Sequence, residues 1–391
     1  MSEARIKTQI AAINEIITSS QLPYNGLLGG RLSVVFYLYF AGRELADERL
    51  LSCGRQHLEA VFEDVNEGGG ALSGNALSNG VAGFAYVVNH LSRAGAIDFN
   101  IHEEFDELEQ FLFTSAREQI ARDEIDYLHG AGGVIYYFAT REQTPVINSY
   151  LNELVDLLLA KAVITDQGCW FRNHLEPQSD YKETIDLGLA HGLSGLLLIL
   201  TEALPYLNNK LLCRHVLKEG ARLIMRNELP VNAKRNEFSG FPCSVKSNQE
   251  VVRINRLAWC YGDLNQVLLL YTLGDKLQDE RYFSIANRIG LQCVARQTEM
   301  ATLCVDTHFC HGTSGLAQFY KSLYRLSNNW LYKNAYQYWI EKTVEYLDQE
   351  LTEKKYAQNP ASLLEGFTGV AMVLVDYLSN QASDWSRLFL L

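Results

Sequence analysis

The stretch GLAHGLSGLLLILTEALPYL, residues 188–207, decides how this chain is read. A glycine turn, Gly192-x-x-Gly195, opens an apolar run longer than a typical strand and closed by polar residues, which favours a buried helix. The same signature starts at Gly26, Gly80, Gly130, Gly192, Gly262, Gly312 and Gly366, at intervals of 54, 50, 62, 70, 50 and 54 residues. Recurrence at such a period is the mark of a repeat architecture. The second glycine is Gly29, Gly83, Gly133, Gly195, Gly315 or Gly369, while repeat five has Asn265 in its place.

Between the signatures lie amphipathic stretches. In residues 335–351, Tyr336, Trp339, Ile340, Thr343, Val344, Leu347 and Leu351 form one stripe at helical spacing, and Tyr150, Leu151, Leu154, Val155, Leu158 and Leu159 form another. Only seven prolines interrupt the chain. Tandem helical hairpins either stack into an open superhelix or close into a ring. Seven apolar helices flanked by seven amphipathic ones favour closure, because the apolar set must be covered on nearly all sides. The expectation is an all-α protein, an α/α toroid of seven inner and seven outer helices, with residues 1–391 as one domain and the seven glycine loops gathered at one mouth.

Composition fits: 48% hydrophobic and 20% charged residues describe an ordinary globular chain. A net charge of −12 opposes binding to phosphate backbones, so nucleic acid is not an expected partner. Eight cysteines in 391 residues lack the density of a secreted disulfide scaffold. The first 25 residues have no uninterrupted apolar core, and the most apolar runs are too short to cross a bilayer. A cytoplasmic location is expected.

If the loops converge, residues just before each Gly-x-x-Gly face one another. Repeat three has Asp126 and His129, repeat four His191, repeat five Arg256, Cys260 and Tyr261, and repeat six Cys310 and His311; repeats one, two and seven have Asn25, Asn79 and Glu365. Cys260, Cys310 and His311, from adjacent repeats, form a donor set suited to zinc, and three protein ligands leave the fourth position open, as catalytic sites do. The competing reading is that these are small residues packed into turns; their equivalent repeat positions argue against it. His191 alone would read as a satisfied core histidine, but it precedes Gly192 as His311 precedes Gly312, and His129 shares that place. Arg256 and Asp126 could equally decorate a surface or cap a helix. His308, Cys304 and Glu365 are secondary candidates.

The motifs GLAHGLSG, WCYG (259–262) and CHGTSG (310–315), set in seven repeats, resemble the lanthionine synthetase C family, the cyclases of lantibiotic biosynthesis. The resemblance runs from the first glycine signature to the last and implies a double ring of seven inner and seven outer helices. It also implies zinc held by Cys260, Cys310 and His311, a catalytic His191, supporting roles for Asp126 and Arg256, and Tyr261 as the last side chain of WCYG, the form typical of stand-alone cyclases. The implied reaction adds a peptide cysteine thiol to dehydroalanine or dehydrobutyrine and closes a thioether ring. The implied partners are a precursor peptide dehydrated by a separate enzyme and a transporter. Asn265 departs from the Pro-Gly pair usual at the end of the WCYG loop. Three other readings stand beside this one: a similar enzyme adding glutathione or another free thiol to dehydroamino acids, a noncatalytic peptide-binding scaffold, and a zinc prenyltransferase-like α/α barrel, which gives no reason for WCYG and CHG.

Overall fold

The computed structural model describes residues 2–68, 72–174, 184–246, 250–379 and 383–391. Outer helix α1 (Glu3–Thr18) leads to inner α2 (Arg31–Glu44), and α3 (Glu48–Asn66) to α4 (Val81–Arg93). After the short α5 (Ile101–Glu104), α6 (Asp106–Ala121) leads to α7 (Ala131–Thr140), and α8 (Pro145–Ala160) to α9 (Leu193–Ala203). Next α10 (Lys210–Arg226) leads to α11 (Asp263–Leu277), α12 (Glu280–Val294) passes through the short α13 (Glu299–Thr302) to α14 (Thr313–Ser327), and α15 (Trp330–Glu353) leads to α16 (Phe367–Ser379). The inner helices α2, α4, α7, α9, α11, α14 and α16 each pack on the next, and α16 packs back on α2. The molecule is therefore a closed α/α toroid of seven inner and seven outer helices.

The two kinds of helix start differently because their surroundings differ. All ten residues of α7 are buried, whereas α10 buries only a stripe containing Cys213, Val216, Leu217, Gly220, Ala221, Leu223 and Ile224. Outer helices other than α6 begin with side-chain caps, as where Asp47, Asp279 and Asn329 accept backbone N–H bonds. The inner helices α2, α4, α7, α9, α11 and α14 begin at a glycine with no side-chain cap, and carbonyls of the preceding loop take first-turn N–H groups instead, as where Arg31 donates to Tyr24, Val81 to Gly74, Ala131 to Glu124 and Thr313 to Asp306. Tight hairpins join an inner helix to the outer one that follows, as in α2 to α3, α11 to α12 and α14 to α15. The outer cover of α16 is α1, so the two ends of the chain meet.

The register of repeat one needs correction. Gly30, not Gly26, precedes the first residue of α2, and its N–H bonds the Gly26 carbonyl as that of Gly80 bonds Ala76. A Cβ on Gly30 would lie 2.5 Å from the Tyr24 carbonyl, the same crowding that Gly80 meets at Gly74. Two glycines three apart occur there by coincidence of sequence, while the true counterpart of the second glycine is Ser33. Its buried hydroxyl donates to the Ala361 carbonyl at 2.5 Å and so fastens repeat one to repeat seven.

Main-chain hydrogen bonds run around the mouth in one direction, each loop donating to the next. Leu28 donates to Ser78, Ser78 to Leu128, Ala190 to Cys260, Trp259 to Cys310, Cys310 to Leu364, and Leu363 back to Leu28. Among the described residues no such bond joins the loops of repeats three and four.

Two additions break the all-helical plan at the longest intervals between repeats. Strands β1 (Val163–Thr165) and β2 (Gly168–Trp170) form a hairpin after α8. Strand β3 (Thr184–Asp186), just before the repeat-four loop, pairs antiparallel with β4 (Ser244–Lys246), which pairs with β5 (Val251–Val252). Beneath the loops, the C-terminal turn Trp385–Phe389 plugs the bore: the Tyr127 hydroxyl donates to the Leu388 carbonyl at 2.5 Å and the Trp259 indole N–H to the Phe389 carbonyl at 2.8 Å. The Phe389 ring lies 4.2 Å from that of Phe309. Residues adjacent to Asp126, Cys260 and Cys310 thus rest on one apolar floor.

Candidate metal centre and acid-base pair

The repeat-five and repeat-six loops bring Cys260, Cys310 and His311 together, with the two Sγ atoms and a ring nitrogen all within 4.8 Å of one another. Tetrahedral zinc, with bonds of about 2.3 Å to sulfur and about 2.0 Å to nitrogen, sets such atoms about 3.5–3.8 Å apart, so the donors fit the metal in kind and in spacing. The main-chain bond from Trp259 to Cys310 fixes one loop against the other, and Cys310 is tied on to Leu364. The Cys260 thiol is pulled down to about 5 by its hydrogen bond with Cys310, against burial, while that same contact pushes the Cys310 thiol up. One proton shared by two sulfurs already gives a thiolate, the form that binds metal.

The shape of this loop depends on two residues. Gly262 has φ +123°, unlike the glycines that open its neighbours, and a Cβ there would lie 2.3 Å from the Arg256 carbonyl. At the second-glycine position of repeats four and six a Cβ would come within 1.9 Å of the Leu189 or Phe309 carbonyl. Asn265 avoids that collision because the repeat-five loop turns differently, and its buried amide does structural work. It donates to the Ala258 and Trp259 carbonyls at 3.3 and 3.0 Å and accepts the Leu189 N–H at 3.1 Å.

Arg256 stands beside this centre. Its guanidinium carbon is 6.0 Å from the centroid of the Tyr261 ring, and its buried Nε has no hydrogen-bond partner. The Tyr261 hydroxyl is pushed up by burial, partly offset by Arg256, which keeps it neutral and able to donate. Behind His311, the His308 ring packs edge-on at 4.0 Å and its Nε2 lies 3.3 Å from Asp306. Cys304 is buried, and burial drives its thiol far up, so it is inert. Glu365 is exposed, and its charge contributes to raising the Cys310 thiol.

Where the main-chain seam is missing, Asp126 takes its place. The residue is 2% exposed, and Oδ1 accepts the Leu128 and His129 N–H groups at 2.9 and 2.8 Å. Oδ2 meets His191 Nδ1 at 2.8 Å. A carboxylate so held makes Nδ1 the protonated nitrogen and leaves Nε2 free. Burial lowers the affinity of His191 for its proton, but Asp126, with Asp186 and Cys260, outweighs this and raises it above the ordinary value. Asp126 is therefore neither surface decoration nor a mere helix cap.

The repeat-three histidine differs. His129 stacks on His191 at 5.7 Å, and its Nδ1 faces the Ser78 hydroxyl at 3.0 Å, not the carboxylate. Burial lowers its pKa. Two further residues, missed in the sequence, adjoin His191. Asp186, six positions before Gly192 as Asp306 is before Gly312, was legible from the repeat alignment. Asn173, whose amide donates to the His191 carbonyl at 2.9 Å, left no signal, because it lies outside the repeats.

Comparison with known proteins agrees with the fold. The sequence profile of lanthionine synthetase C-like proteins matches residues 23–390. The solved structure of a nisin cyclase superposes with a TM-score of 0.78, covering 99% of this chain and 96% of that one at 19% identity, which shows a shared fold. No curated protein matches the sequence. With a profile that spans nearly all of its length and the seven-repeat ring to go with it, the chain belongs to the lanthionine synthetase C-like family.

Proposed function

We propose that this chain is a zinc-dependent lanthionine cyclase: it adds cysteine thiols of a dehydrated precursor peptide to dehydroalanine or dehydrobutyrine and closes thioether rings. We read residues 1–391 as one catalytic domain that works in the cytoplasm on a peptide dehydrated by a separate enzyme and exported by a transporter. The observation that carries this reading is the meeting, at one mouth, of a Cys2His donor set and an Asp–His pair. Among the described residues no helix is long and apolar enough to cross a membrane.

Cys260, Cys310 and His311 would hold the zinc. When bound, the metal supplies Lewis acidity that lowers the pKa of a thiol brought to it. Asp126 orients His191 so that Nε2 takes the thiol proton as the carbon–sulfur bond forms. The alkene π pair moves toward the acceptor carbonyl as an enolate, and the unpartnered Nε–H of Arg256, with the Tyr261 hydroxyl, is suited to meet that charge. His191 then returns its proton to the α carbon, so the reaction releases nothing.

The test is to give the zinc-loaded protein a peptide containing one dehydroalanine and one cysteine, then alkylate and weigh the product. Ring closure leaves the peptide mass unchanged and removes the alkylatable thiol. A free thiol in the peptide after full incubation would overturn the reading, and a glutathione adduct formed when glutathione is added to the same mixture would support addition of free thiols.

A further inference from the structure

A cavity of about 430 Å³ opens beside His191, and neither thiol donor lines it. It is lined by Phe171 and Asn173, just after β2, by Ile185 and Asp186 on β3, and by Leu193 and Leu196 in the first turn of α9. Asp126 and His191 form one end, so the cavity is continuous with the acid-base pair. The volume suits a side chain together with its stretch of backbone, and apolar walls with a few placed polar groups are the usual make-up of a ligand pocket.

Two features say what the occupant is. Asn173 uses its amide nitrogen on the His191 carbonyl, which leaves Oδ1 buried without a partner. A buried acceptor of this kind is costly unless something donates to it, and a peptide N–H is the donor that an extended chain brings. Among the described residues, β3 is also the outer strand of its sheet, and such an edge favours an extended neighbour. The lining carries the Asp126 and Asp186 carboxylates and, among the described residues, no lysine or arginine. It therefore welcomes an apolar side chain and repels an acidic one.

We infer that this cavity is a substrate subsite that takes an apolar side chain of the peptide, from the residue next to the dehydroamino acid, while Asn173 Oδ1 accepts a main-chain N–H beside it. This rests on the cyclase reading, since His191 would place the acceptor residue at the cavity's end. The subsite makes flanking sequence, and not only the Cys and dehydroalanine, a determinant of which ring closes.

The experiment separates the two claims by using an inert probe. Three fluorescent peptides carry Ser for Cys and Ala for dehydroalanine, with Leu, Gly or Glu next to that alanine, and their binding to the zinc-loaded protein is read by anisotropy. Leu should bind at least tenfold more tightly than Gly, and Glu most weakly. Leu196→Trp fills the cavity and should abolish the preference for Leu; Asn173→Ala should weaken all three peptides by a similar factor, because it reads the main chain. Asp186→Asn should narrow the gap between Leu and Glu. Folding of each variant is checked by zinc content and circular dichroism. Equal affinity of the Leu and Gly peptides for the unaltered protein, or a Leu preference that survives in a folded Leu196→Trp, overturns the subsite. Failure of the reactive peptide to cyclise while the Leu preference persists would remove the cyclase reading and leave the pocket standing.

Discussion

The mouth of the ring is built by one rule and finished in two ways. In the half made by repeats five and six, main-chain bonds stitch the loops together, so Cys260 and Cys310 are held by backbone. In the half made by repeats three and four that stitch is absent, and a side-chain pair, Asp126 with His191, joins the loops instead. The contrast matches what each proposed chemistry needs. Metal ligands must be fixed in distance and gain from a seam that does not titrate, whereas an acid-base group must change its proton count while staying in place. Repeats one, two and seven keep the seam and carry no thiol or imidazole before their glycines, so they serve the ring itself.

The hardest blow to this contrast falls on the stitched half. Cys310→Ala or His311→Ala removes one of three donors, and each should lose zinc and ring formation together. Zinc content of the purified variants, with circular dichroism to show that the helices remain, checks it; full zinc in either variant would refute the ligand set.

Next in size is Asp126→Asn. The amide can still accept from Leu128 and His129, but it no longer provides the charge that holds and raises His191. Turnover should fall by about 10²–10⁴-fold with zinc content unchanged, the range expected when a general acid-base group is lost. The midpoint of His191, followed by imidazole NMR, should move down. The sign carries over to stability. His191 is raised in the folded chain, so its protonated form favours folding at pH below about 6.5. That contribution fades as pH rises through the folded midpoint and should be missing from Asp126→Asn. A variant that keeps its activity and its His191 midpoint would dissolve the distinction between the two halves.

Much of this was legible because the repeats put like residues at like places. Periodic glycines before apolar runs gave the inner helices, and the residues just before them gave Cys260, Cys310, His311 and His191. The coincidence of Gly26 and Gly29 hid the register of repeat one, since a motif counts glycines while the fold counts which carbonyl sits against which Cβ. The strands over the mouth were not legible: each is two or three residues long, and their pairing joins segments some sixty residues apart. Asn173 was invisible because it lies outside the repeats and in none of these strands. Asn265 looked like a defect in the motif, yet its amide makes three hydrogen bonds that a glycine cannot.

A smaller effect follows from Gly262, whose φ of +123° and 2.3 Å approach to the Arg256 carbonyl admit no side chain. Gly262→Ala should destabilise the chain by about 1–3 kcal/mol. Because Cys260 is two residues away, it should also weaken zinc binding, measured by competition with a chromophoric chelator. Gly68, with positive φ but nothing within 4 Å of its would-be Cβ, is the control: alanine there should cost only the backbone strain and leave the metal affinity alone.

The smallest effect should come from His129, the double of His191 in position. Its ring bonds Ser78 and not the Asp126 carboxylate, and burial lowers its proton affinity where that of His191 is raised, so the two stacked rings are set apart in charge. His129→Ala should change turnover only a few-fold, against the about 10²-fold or greater loss expected when His191 is removed. If His129→Ala were as damaging as His191→Ala with zinc retained, the proton relay would have to include both rings, and the carboxylate would not be what separates them.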